Sequence, residues 1–81
     1  MKHYLKHEGN YGTISYLFYD AEKRVSIGVD KWSISFETDL DDVEWLISYD
    51  LKNGYKFITF DEFMDYYVQR LEKLREVSES V

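Results

Sequence analysis

From residue 13 to residue 37 apolar side chains alternate with small or polar ones in three successive runs, and this period of two limits the fold more than anything else in the chain. In the first run Ile14, Tyr16 and Phe18 point one way, and Thr13, Ser15, Leu17 and Tyr19 the other. In the second, Val25, Ile27 and Val29 oppose Ser26 and Gly28. In the third, Trp32, Ile34 and Phe36 oppose Ser33, Ser35 and Glu37. A tight Asp30-Lys31 hairpin sets Val29 opposite Trp32, Ile27 opposite Ile34 and Val25 opposite Phe36. A four-residue loop over 20–23 sets Phe18 opposite Val25, Tyr16 opposite Ile27 and Ile14 opposite Val29. Both hairpins bring apolar residues together on one face, which predicts a three-stranded antiparallel meander. A one-residue slip would expose the whole apolar set. The other face, rich in Ser and Thr, reads as solvated.

After Glu37 the period changes to that of a helix. Thr38 or Asp39 can cap the first turn, Leu40, Val43, Leu46, Ile47 and Leu51 recur at helical spacing, and Gly54 after Lys52-Asn53 supplies a left-handed stop. Residues 55–58 read as an extended connector. Thr59-Phe60-Asp61-Glu62 is a capping box, with Ile58 and Phe63 placed as a hydrophobic staple. It opens a second helix from Phe60 to about Val77 with a buried stripe of Phe60, Phe63, Met64, Tyr67, Leu71 and Leu74. Residues 1–12 read as an arm or edge strand, and 78–81 as a frayed end. The predicted fold is therefore α+β, a single small domain over 1–81: a three-stranded antiparallel β-meander followed by two helices packed on one face of the sheet.

An 81-residue chain has one core to build, and eight Tyr, five Phe and two Trp give it large apolar areas per ordered residue. The absence of cysteine excludes disulfides and thiolate zinc sites. No run of residues approaches the ~18 apolar positions of a membrane span, and the amino-terminal segment lacks the apolar core of a signal peptide. These features lead to the expectation of a soluble protein of the cytoplasm. His3 and His7 have the spacing of two metal ligands on a helix face, but no helix cap precedes them and no third ligand is indicated, so both read as solvated.

Charge is concentrated. Residues 37–65 hold nine acids against Lys52 and Lys56, a local balance of −7, so this segment carries more than the whole −6 of the chain. Nucleic acid would be repelled by such a field and a basic protein attracted. Two readings fit. Carboxylates at helix starts answer the helix dipole, each contributing ~0.3–1 kcal/mol, and keep a protein soluble. Alternatively, carboxylates on a rigid frame can occupy the Arg and Lys side chains of a DNA-binding groove in place of phosphates. Exposed aromatics join the acids near the Gly54 corner. The candidate partner-binding residues are Asp39, Asp41, Asp42, Glu44, Asp50, Tyr55, Asp61, Glu62 and Asp65. No nucleophile elbow, phosphate-cradling Gly loop, zinc pattern or calcium loop occurs, so neither an enzyme nor a cofactor is expected.

Three short runs, Glu44-Trp45-Leu46-Ile47-Ser48, Lys52-Asn53-Gly54-Tyr55 and Asp61-Glu62-Phe63, resemble the carboxy-terminal half of small prophage-encoded Cas9 inhibitors, acidic anti-CRISPR proteins. The resemblance implies a DNA mimic that fills the PAM-reading groove of a nuclease, with Glu44, Asp61 and Glu62 as matching acids. The expected function is thus that of a phage or mobile-element inhibitor acting in a bacterial host cell on a basic nucleic-acid-binding defence protein. The alternative is a small non-enzymatic adaptor domain, with homodimerisation among its options.

Overall fold

The computed structural model describes residues 1–31 and 33–79. Its core element is a five-stranded antiparallel sheet: β1 (Lys2–Glu8), β2 (Ile14–Asp20), β3 (Val25–Val29), β4 (Ile34–Glu37) and β5 (Lys56–Phe57), in the order β4-β3-β2-β1-β5. The meander is present as β2, β3 and β4, each hairpin two residues out of the expected register. Tyr16 pairs with Val29 and Phe18 with Ile27, while Ile27 pairs with Phe36 and Val29 with Ile34. A shift of two leaves every side chain on its expected face, since the period is two.

Side chains of two aspartates set the shift. The Asp20 carboxylate accepts the backbone N–H groups of Glu22 and Lys23 at 3.0 and 3.1 Å, so the first loop runs over 21–24 with Arg24 in the left-handed region at φ 55°. Those two amides, Lys23 first, hold the buried Asp20 carboxyl below its ordinary pKa. Asp30 accepts from the Ser33 amide at 2.8 Å and donates its own amide to the Ser33 carbonyl at 3.0 Å, closing a four-residue loop instead of a two-residue turn. The expected Val29 to Trp32 pair lies outside the described residues.

The first residues correct the reading more sharply. Residues 2–8 form neither an arm nor an edge but a strand inside the sheet, paired with β2 along its length and with β5 on its other side. Leu5, at 0 % exposure, is among the most buried side chains of the chain. The expected connector contributes β5, where Leu5 pairs with Phe57 and Lys6 with Lys56.

The helices α1 (Val43–Lys52) and α2 (Phe60–Glu79) lie on opposite faces of this sheet, not on one. Inserting β1 explains why: it adds Leu5 to Leu17 and Tyr19 and makes the expected solvated face apolar enough for a helix. Val43 and Ile47 of α1 pack there with Leu5 and Tyr19. Phe63 of α2 packs on the other face with Tyr16 and Val29, flanked by Tyr4, Phe18, Ile27 and Tyr66. The class remains α+β.

Caps fix both helices. Leu40 donates its amide to the Arg24 carbonyl at 3.1 Å and Asp39 sits at φ 58°, so no helix starts at Thr38 or Asp39. Asp42 caps instead, accepting from the Trp45 amide at 3.0 Å. At the other end Tyr55 donates to the Asp50 carbonyl at 3.0 Å and Gly54 to Leu51 at 3.4 Å around Gly54 at φ 97°, a Schellman ending. Thr59 caps α2 through the Glu62 amide at 3.1 Å, and Ile58 and Phe63 join one cluster as the staple requires. The buried stripe of α2 is shorter than expected: Phe63 is buried, Met64 and Tyr67 are half-buried, and every residue over 71–79 is exposed. Residues 78 and 79 continue the helix.

Candidate functional site

Between β4 and the second turn of α1 the chain runs Glu37-Thr38-Asp39-Leu40-Asp41-Asp42-Val43-Glu44, five acids with no base. Leu40 and Val43 turn inward against the Leu5 cluster, which leaves the carboxylates outside. All five acids are exposed, and among the described residues none forms an ion pair. Asp42 is occupied in part by its capping bond, and Asp39 accepts from the Thr38 hydroxyl at 3.3 Å.

The outer face of α1 continues this segment with aromatic surface. Trp45 and Tyr49, one turn apart, are 59 % and 53 % exposed and stack at 5.4 Å with an 18° interplanar angle. Ser48 and Lys52 complete a shallow depression around them. A stacked indole and phenol beside free carboxylates can take an Arg guanidinium over its ring face and pair it at its rim. Trp45 is not among the candidate residues drawn from the charge pattern; its position off the stripe of Val43, Leu46 and Ile47 is the sequence signal that points to it.

The other candidate residues lie away from this surface. Asp50 is half-buried and accepts the Tyr19 hydroxyl at 2.6 Å. Burial, then this bond, pushes the Tyr19 phenol well above its ordinary pKa. Tyr55 packs against the Leu5 cluster and stacks on His7 at 5.0 Å, and burial raises its pKa too. His7 and His3, which lies 5.9 Å from the Phe57 ring, are half-buried ring partners and not the solvated pair expected. Asp61, Glu62 and Asp65 are exposed at the start of α2. Since α2 lies across the sheet from α1, these three are separated from residues 37–44 by the whole sheet. The nine acids therefore form two groups and an inner residue, and not one continuous patch.

A mixed-charge cleft of about 390 Å³ lies between β1, β5 and the start of α2, lined by Lys6, Glu8, Lys56 and Glu62 among others. Lys6 lies 3.1 Å from Glu8 and 3.7 Å from Glu62, and the Glu8 bond chiefly raises its pKa. A lysine held protonated is a poor base or nucleophile. Among the described residues no cluster of three or more His, Asp or Glu could hold a metal ion, and no helix is long and apolar enough to cross a membrane. Comparisons with protein-family models, curated proteins and solved structures yield no match for the chain.

Proposed function

We propose that the chain is a non-enzymatic acidic inhibitor of phage or mobile-element origin that binds the basic DNA-binding surface of a Cas9-like nuclease in the cytoplasm of a bacterial host. The observation that carries this reading is the run of five exposed carboxylates over 37–44, which among the described residues form no ion pair and are continued by the Trp45 and Tyr49 rings. Had the acids served only as caps, Asp42 and the first turns would suffice. Glu37, Asp39 and Asp41 precede the helix, and among the described residues none of them accepts a capping bond from it.

The face division gives the test its form. Capture of a Cas9–guide RNA complex is compared for the wild-type chain, for a variant with Glu37, Asp39, Asp41 and Glu44 changed to Gln or Asn, and for one with Asp61, Glu62 and Asp65 so changed. Loss of capture confined to the first variant is the expected result. Equal capture by all three would remove the electrostatic mechanism.

The exposed Trp45 and Tyr49 favour a second reading, an adaptor domain that docks through apolar contact. Salt separates the two: charge-led binding weakens steeply with ionic strength, whereas apolar docking does not.

A further inference from the structure

Helix α2 outruns its sheet. Its first half packs through Phe63, while its second half carries Leu71 and Leu74 into solvent at 43 % and 41 % exposure. Beside the first half lies an open apolar groove lined by Tyr4, Phe18, Ile27, Phe60, Met64 and Tyr67. Phe36, next to Ile27 in the ladder and on the same face, is 63 % exposed. One molecule thus bears a helical ridge and a groove, neither covered by the described residues, at opposite ends of one helix.

We propose that a second copy of the chain fills them: two α2 helices pack antiparallel about a two-fold axis at Val68, the projecting half of each lying in the groove of the other. Helical spacing makes the arrangement self-complementary. At 100° per residue Phe60, Met64, Leu71 and Val68 fall along the flank of α2 that adjoins the groove. An antiparallel copy centred on Val68 sets the partner's Leu71 and Leu74 beside Phe60 and Met64. Val68, 43 % exposed, then meets the partner's Val68 at the axis.

Charge selects this register. Asp61 and Arg75 lie on the same flank, each seven residues from Val68, so the two-fold axis brings Asp61 against the partner's Arg75 twice. In a parallel pair Asp61 would face an aspartate and Arg75 an arginine. Within one chain Arg75 donates to Glu79 at 3.0 Å, and the five donors of its guanidinium leave others for an incoming carboxylate. A basic protein would be a poorer occupant, because the groove carries Lys2 at its rim.

Sedimentation of the full chain over a concentration series tests the proposal, with circular dichroism confirming that each variant is folded. The wild-type chain is expected to approach twice its 9.8 kDa mass, and Leu71→Glu with Leu74→Glu to remain at single mass. Asp61→Arg and Arg75→Asp each weaken the dimer by ~10-fold, from two symmetric surface pairs turned repulsive. The double exchange restores it. A wild-type chain that stays monomeric throughout, a dimer indifferent to the leucine changes, or a double exchange that fails to restore association each overturns the proposal.

Discussion

Tyr19 and Asp50 form the polar contact on which the α1 face turns. The phenol is buried, its hydroxyl donates to a half-buried carboxylate at 2.6 Å, and the bond links β2 to the last turn of α1. Tyr19→Phe should cost about 1.5–3 kcal/mol, the range for a hydrogen bond to a charged group, read from the midpoint of denaturant unfolding. The same contact sets a pH dependence. A phenol whose folded pKa lies above its unfolded value of about 10 contributes stability that is fully present below that value and is lost as pH rises beyond it. Stability should therefore fall on the alkaline side, and Tyr19→Phe should flatten that fall. At the surface, Trp45→Ala should leave the melting temperature nearly unchanged and weaken partner binding, which a paired thermal melt and binding titration would show. Residue chemistry was only partly legible in the sequence: Asp50 and Tyr55 look like surface groups there, and only the fold reveals that one bonds a buried phenol and the other stacks on His7.

Two helix ends, the last turn of α1 and the first of α2, rest on local signals, and these were the easiest to read. Thr59 and Gly54 occupy the roles that their neighbours imply, because a capping box and a left-handed stop involve only a few adjacent residues. Gly54→Ala should destabilise by about 1 kcal/mol or more, since φ is 97° and a Cβ would stand 3.2 Å from the His7 ring. Chemical denaturation measures it. Helix α1 begins later than its sequence implies because Leu40 finds a distant partner in the Arg24 carbonyl, and no local pattern announces such a bond. Strand β1 was hidden for a different reason. Leu5 lies among Lys2, His3, Lys6 and His7, whose polar ends mask the alternation while their stems and rings pack. Strand β5 has two residues, too few for any period. Leu5→Ala, at a fully buried position, should cost about 2–5 kcal/mol.

For the molecule as a whole, the placement of β1 decides which surfaces carry the charge. With β1 inside the sheet both faces become apolar, the helices take one face each, and the acids that share one stretch of sequence divide between two surfaces. Among the described residues, the group over 37–44 is clustered and forms no ion pair, whereas Glu62 of the other group lies 3.7 Å from Lys6. A dimer built through α2 would leave both α1 surfaces open, so two nuclease molecules could be engaged at once. The proposed mimicry of DNA has one direct consequence, mutual exclusion. The decisive measurement is binding of a PAM-bearing DNA duplex to a Cas9–guide RNA complex as this chain is titrated in, at low and at high salt. Displacement of the duplex at low salt, lost at high salt and lost when Glu37, Asp39, Asp41 and Glu44 are neutralised, is the expected result. DNA and chain bound together on one nuclease, or displacement unaffected by those four changes, would contradict it.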